Sequence, residues 1–284
     1  MTNIPAVSVV VPMYNARKYI GECLNSLLAQ TLKNFEVIVV DDCSTDDSVA
    51  IARRYVKKFG GRLKVSALKE NSGGGGAPRN KGLSISRGEY LFFMDSDDVV
   101  TKTALEEMYS LAKEYKADVV YCEKYFMSSG VGKEFVKNIH LADSKIQEGG
   151  FVDKPTLETN DMTERIRKAI TRRFWVTPWL RLVARDLLVD NEIKFPSLIG
   201  SNDVGWTFEV LFCAKRFLRV PNICYVRRMH AESVSLRQRT TPEHVHKWMD
   251  RTIRSLRDFD DFMGGIEFFR ENPAQRYAVL ESFA

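Results

Sequence analysis

The chain has 284 residues, 44% hydrophobic, 28% charged and 11% aromatic. That is an ordinary globular composition, which excludes disordered, collagen-like and disulfide-scaffold classes. The net charge of +5, from 42 Lys and Arg against 37 Asp and Glu, is spread along the chain; it suits an anionic ligand and does not mark nucleic acid as a partner. A chain of this length buries roughly 70–75% of its extended surface, enough for one large or two small cores.

The cysteines at 23, 43, 122, 213 and 224 are odd in number and include no Cys-x-x-Cys pair, so a zinc site or disulfide framework is not expected and a reducing compartment is. No signal-peptide pattern opens the chain, and no apolar run approaches the ~18 residues of a membrane span. A cytoplasmic protein is expected.

The first hundred residues alternate between two periodicities. Val7 to Val11 is a β-branched run ended by Pro12, as in a strand buried on both faces. Ile20, Leu24, Leu27 and Leu28 then recur at helical spacing. Phe35 to Val40 reads as a second strand, and Val49, Ala52, Val56 and Phe59 as one face of a second helix. Leu63 to Leu68 and Tyr90 to Met94 read as two more strands, with a short helix from Arg79 to Ser86 between them. Strands alternating with helices predict a parallel sheet covered on both faces. Beyond residue 100 the spacing predicts a helix over Thr101 to Tyr115, a strand at Asp118 to Cys122 and a long excursion over 128–160. A helix at Val204 to Phe217 and a strand at Arg219 to Arg228 follow. From Pro242 onward, Val245, Trp248, Met249, Ile253 and Leu256 form a helical appendage. Its pattern permits an acceptor lid, a dimer contact or a membrane-surface helix. The end at Ala284 is abrupt, and a longer natural chain is expected.

In an open parallel sheet, ligands bind outside the carboxyl ends of the strands. Strand one runs into Pro12, Met13, Tyr14 and Asn15, and strand two into Asp41 and Asp42. Strand three leads to Asn71, Ser72 and four glycines, and strand four to Asp95, Ser96, Asp97 and Asp98. Two acidic clusters at one edge would repel unless a cation or a hydrogen-bonding ligand resolved the conflict. Hard carboxylate oxygens suit Mg²⁺ or Mn²⁺, which shares its shell with substrate phosphates; helix capping is the plainer role for Asp97 or Asp98. The glycine run is not a phosphate loop, because no Gly-Lys-Ser/Thr follows and Pro78 breaks Gly-x-Gly-x-x-Gly. Close backbone approach beside a ligand, with Arg79 and Asn80 giving polar contacts, is its expected use.

Four segments together resemble the family 2 glycosyltransferases of GT-A fold. They are Val-Val-Val-Pro-Met-Tyr-Asn (9–15), Val-Asp-Asp-Cys-Ser-Thr-Asp (40–46), Ala-Pro-Arg-Asn-Lys-Gly-Leu (77–83) and Gly-Glu-Tyr-Leu-Phe-Phe-Met-Asp-Ser-Asp-Asp (88–98). The resemblance covers residues 6 to about 120 and continues more loosely through Trp179, Phe195-Pro196, Asp203 and 225–235. It implies an α/β, Rossmann-like, mostly parallel sheet with helices on both faces and a helical C-terminal appendage. Residues 1–100 would form the nucleotide-sugar half, 101–240 the acceptor half of the same domain, and 241–284 the helical extension.

The implied activity is metal-dependent, inverting transfer of a hexosyl or N-acetylhexosaminyl group. The donor is a nucleotide-sugar, commonly a UDP-sugar, and the acceptor a hydroxyl of a glycan or lipid-diphosphate-linked molecule, in cell-surface polysaccharide or glycoconjugate synthesis. A non-catalytic sugar-nucleotide or glycan-binding module on the same fold is the rival reading.

Carried over by position, Pro12, Tyr14 and Asn15 would line the nucleotide pocket, and Asp41 or Asp42 would accept a hydrogen bond from the base, with Arg79 nearby. Asp95 and Asp97 match Asp-x-Asp, with Asp95 and Ser96 on the donor side and Asp97 on the metal, Mn²⁺ or Mg²⁺. Inversion needs a base opposite the leaving diphosphate. Asp203, in Ser-Asn-Asp-Val-Gly-Trp (201–206), occupies that place, with Asn202 where Glu is usual; N-capping is its other role. His230 stands where some relatives place a late metal or diphosphate ligand, and Arg227 and Arg228 lie within reach of the diphosphate or on a solvated surface.

Charge alone marks one more stretch. Residues 165–185 hold Lys or Arg at 165, 167, 168, 172, 173, 181 and 185, with Phe174, Trp175 and Trp179 interleaved. Either this is a solvated helix face, or Arg172, Arg173, Trp175 and Trp179 form an acceptor surface for an anionic or lipid-linked glycan. Such an acceptor would bring the chain to the inner face of the membrane. The sequence does not fix the oligomeric state.

Overall fold

A computed structural model describes residues 4–128, 139–141, 151–171, 174–196, 202–230 and 241–283. The first part alternates as expected: β1 (Val7–Met13), α1 (Ile20–Leu28), β2 (Phe35–Asp41), α2 (Ser48–Tyr55), β3 (Leu63–Ala67), α3 (Gly76–Ile85) and β4 (Tyr90–Phe93). β1 lies between β2 and β4 and is parallel to both, and β2 is parallel to β3. Central position explains why β1 and β2 are mostly apolar and buried along their length, with Ser8 donating to Glu36 at 2.8 Å as the buried polar exception.

The second part makes the sheet mixed. After β5 (Val99–Val100) and α4 (Ala104–Tyr115) come β6 (Val119–Ser128), β7 (Ile139–Leu141), β8 (Thr156–Leu157) and α5 (Met162–Ile170). A 3-10 turn at Pro178–Leu180 leads into β9 (Arg181–Ala184), α6 (Arg185–Asp190), α7 (Asn202–Cys213) and β10 (Phe217–Arg228). The sheet order is β3-β2-β1-β4-β9-β6-β10-β5, with β7 beside β6 and β8 beside β10. β9 is antiparallel to both β4 and β6, while β6 and β10 are parallel to each other. This four-residue strand joins the two parallel blocks, and the sequence reading had placed it in a basic surface stretch. The chain closes with α8 (Pro242–Gly265), α9 (Glu267–Glu271) and α10 (Pro273–Phe283). The helical tail is packed onto the body: Phe259 of α8 lies 5.9 Å from Phe208 of α7, and Phe269 lies 5.2 Å from Phe212.

Two glycines set the packing against the central strand β1. A Cβ on Gly82 would meet Val10 Cγ1 at 2.2 Å, so α3 lies directly against β1. One on Gly88 would meet the Ser8 nitrogen at 2.5 Å. Among the described residues, no helix is long and apolar enough to cross a membrane.

Candidate active site

The carboxyl ends of β1, β2 and β4, the start of α3 and the start of α7 converge on one edge. Asn15 takes a left-handed backbone, φ 48°, and its side-chain oxygen accepts the Thr45 amide at 2.8 Å, while its own amide donates to Ser44 at 2.9 Å. These bonds tie the ends of β1 and β2 into one floor. Tyr14 is exposed beside it and Pro12 half-buried. Asp41 is buried; one oxygen accepts the Ser44 amide at 3.1 Å and Oδ1 has no partner. Asp42, also buried, accepts the Ser72 amide at 2.8 Å, and Asn71 donates to its carbonyl at 2.7 Å. Asp42 therefore organises the glycine loop, whereas Asp41 retains an open acceptor.

The glycine run ends as the first turn of α3, three residues ahead of the expected start. A Cβ at Gly75 would come within 3.0 Å of the Arg79 guanidinium, so a residue without a side chain lets that group fold back over the helix start. Arg79 is buried and forks between two carboxylates: Nη2 donates to Asp95 at 2.8 Å and Nη1 to Asp203 at 2.9 Å. Its face lies 5.1 Å from the Phe195 ring centre. Asn80 exchanges both hydrogen bonds with the Phe195 backbone, at 2.7 and 2.9 Å.

Asp203 stands in the first turn of α7. Burial raises its carboxyl above the ordinary range and outweighs the opposing pull of Arg79, with Asp95 raising it further. About a third of the side chain, 36%, remains open, so the group is desolvated without being sealed.

Asp97 and His230 meet at 2.9 Å. Burial first, then Asp95, raise the Asp97 carboxyl, and His230 acts in the opposite direction. His230 Nδ1 is buried without a partner, and the ring stacks on Tyr19 at 4.6 Å. Ser96, between the two aspartates, is half-buried. Among the described residues no three His, Cys, Asp or Glu side chains are grouped to hold a metal by themselves.

Behind these residues lies a network the sequence reading did not find. Asp98 is buried; Tyr225 donates to it at 2.7 Å and the Arg228 amide at 2.7 Å. The Tyr225 oxygen also accepts the Asp95 amide at 3.1 Å. Burial, then Asp97 and Asp95, push the Asp98 carboxyl well up. Arg228, which the sequence reading left either near the diphosphate or in solvent, is buried, ion-paired to Glu22 and 5.0 Å from the Tyr19 ring. Its partner lies 206 residues away in sequence, a separation that periodicity does not bridge.

The basic stretch is not one exposed face where it is described. Arg165 is buried and donates to the Leu211 carbonyl at 2.9 Å, at the end of α7. Arg181 is fully buried on β9, over the Tyr121 ring at 4.5 Å. Lys168 pairs with Glu158 at 2.5 Å. Trp179 is buried, stacked on Tyr225 at 4.5 Å, and Trp175 is half-buried, donating to the Glu123 carbonyl at 3.0 Å. Trp179 thus supports the residue that holds Asp95 and Asp98. Arg172 and Arg173 lie outside the described residues.

The profile for "Glycosyl transferase family 2" matches residues 8–174, more than half of the chain. The chain belongs to that family, and it is a glycosyltransferase of GT-A fold. It is 26% identical over 284 residues to the uncharacterised glycosyltransferase YibD of Escherichia coli, covering all of this chain and 76% of that one. It is 36% identical over 223 residues to the poly(ribitol-phosphate) beta-N-acetylglucosaminyltransferase TarS of Staphylococcus aureus, covering 76% of this chain and only a third (33%) of TarS. The crystal structure of S. aureus TarS 1–349 in complex with UDP-GlcNAc superposes with a TM-score of 0.75 at 29% identity, over 98% of this chain and 71% of that one.

Proposed function

We propose that this chain transfers a hexose or N-acetylhexosamine from a UDP-sugar, with inversion, to a hydroxyl of a cell-surface polymer or lipid-linked glycan, and that Mn²⁺ or Mg²⁺ assists. The observation that carries this reading is the gathering of Asp95, Asp97 and Asp203 with Arg79 and His230 at one edge of the sheet. The UDP-GlcNAc complex of TarS and the polymer named as the TarS acceptor support the donor and acceptor classes.

Asp41, with an unpartnered buried oxygen, would accept the N–H of the base. Pro12, Tyr14 and Asn15 would line the nucleotide, and Asp95 and Ser96 would face the donor. The Asp97–His230 pair fits a divalent cation: a carboxylate and an imidazole suit Mn²⁺, and two ligands leave room for diphosphate oxygens and water. Such an ion would stabilise charge on the leaving diphosphate. Asp203 would accept the proton of the acceptor hydroxyl as its oxygen bonds to the anomeric carbon, and UDP would depart with the electrons of the broken bond.

Thermal unfolding with UDP, GDP, CMP and dTDP, each with Mn²⁺ or with EDTA, tests the site. Ligand at 100 times its Kd adds ~2.7 kcal/mol, a shift of several degrees. Because only Asp97 and His230 among the described residues would hold the ion, Mn²⁺ by itself should shift little and UDP with Mn²⁺ should shift most. Equal shifts from all four nucleotides, or a UDP shift that EDTA leaves unchanged, would contradict the assignment.

A further inference from the structure

Arg79 was expected among the donor-binding residues, yet both prongs of its fork are spent on carboxylates of the chain itself. One is Asp95, just after β4; the other is Asp203, 124 residues further on in the first turn of α7. The next residue, Asn80, grips the Phe195 backbone through two hydrogen bonds, and Phe195 stacks on Trp206 of α7 at 4.6 Å and 9°. Adjacent residues of α3 therefore hold Phe195 and Asp203, on either side of the chain that enters α7. This is more than a buried arginine finding a counter-ion: it fixes one particular oxygen, Oδ1, of the carboxylate at the mouth of the helix.

We propose that Arg79 is a positioning residue for the proton-accepting carboxylate, anchoring Asp203 Oδ1 so that Oδ2 faces the acceptor hydroxyl. This rests on the reading of Asp203 as the base. The groups acting on Asp203 are Arg79 from α3, Asp95 from the β4 loop and Arg181 from β9. Arg181 hydrogen-bonds to the Thr177 and Trp175 carbonyls, the latter at 2.6 Å, and so acts at a distance. Burial and Asp95 favour the protonated acid, which would be useless as a base. Arg79 makes the largest opposing contribution and is the only one of these groups hydrogen-bonded to Asp203. A planar guanidinium with one Nη committed to each carboxylate also supplies direction, which a lysine's point charge does not.

Two measurements on the full chain test this. The first is a carboxyl ¹³C NMR titration with labelled aspartate, with Asp203→Asn identifying the Asp203 signal. Its midpoint should rise by about one pH unit in Arg79→Gln and by less in Arg79→Lys, which keeps the charge and serves if the Gln variant does not fold. The second is UDP release from UDP-GlcNAc with water as acceptor, in wild type, Arg79→Gln, Asp203→Asn and the double variant. Asp203→Asn should lower release about 10²-fold or more, and Arg79→Gln should cost less in the Asp203→Asn background than in wild type, because the part of its effect that runs through Asp203 is already lost and only its bond to Asp95 remains. An unmoved midpoint, or the same fold-loss from Arg79→Gln in both backgrounds, would overturn the proposal and leave Arg79 as a donor-side residue. Full UDP release by Asp203→Asn would instead overturn the reading of Asp203 as base, and the proposal with it.

Discussion

Asp97 and Asp98 are neighbours in sequence and opposites in setting. Asp97 faces His230 and retains a third (33%) of its surface, while Asp98 is buried beneath it and bonded to Tyr225 and Arg228. The acidic run is legible in the sequence as a ligand motif by residue type alone; which carboxylate supports and which is open depends on β10, some 130 residues later. Glycine positions divide in the same way. Gly75 could be read as part of a flexible run, but Gly82 looks like an ordinary helix defect. In isolation Gly82→Ala would favour the helix by about 1 kcal/mol. Against Val10, locked in the central strand, the added methyl has nowhere to go, and overpacking costs about 1–3 kcal/mol. The steric cost should win, so Gly82→Ala should lower the midpoint of thermal unfolding by several degrees. A variant as stable as wild type would show that α3 is not seated on β1 as described.

At the scale of elements, hydrophobic period located β1 to β4 and the intervening helices because each buries an apolar run or stripe on one or two faces. The same method missed β5 and β8, two residues each, and β9, whose first residue is a buried arginine. Counting charge over 165–185 treated Arg165 and Arg181 as solvent-facing, since composition carries no information on burial; backbone carbonyls and an aromatic face accommodate them instead. The contact of α7 with α8 gives a pH test. Glu209 of α7 is buried, and burial, then Asp258 of α8, raise its carboxyl to about 7. In the unfolded chain it ionises near 4.5. Between those values the folded state holds a proton that the unfolded state has released, so stability falls as pH rises through this window, by at most about 3 kcal/mol. Glu209→Gln removes that penalty. Its unfolding midpoint should gain on wild type between pH 5 and pH 8, and a difference that does not change with pH would contradict the assignment.

The whole molecule is two parallel blocks joined by antiparallel β9, with the site at their shared edge and a helical tail packed on α7. The first block was legible in full because its motifs follow its strands. In the second, α4, β6, α7 and β10 were legible by period, and Asp203 and His230 by resemblance; the support that Tyr225 and the buried Arg228 give to Asp98 was not, because those partners come from a distant strand. Both blocks converge on Arg79, and on the proposed reading the nucleotide is held mainly by the first block while Asp203, from the second, takes the proton. Those functions should therefore separate. The most direct measurement pairs calorimetric titration of UDP in the presence of Mn²⁺ with the rate of UDP release from UDP-GlcNAc, for wild type and Asp203→Asn. In Asp203→Asn, UDP affinity should stay within about 2-fold of wild type and the rate should fall by about 10²-fold or more. Retention of the wild-type rate, or loss of rate and UDP affinity in equal measure, would contradict that division of roles.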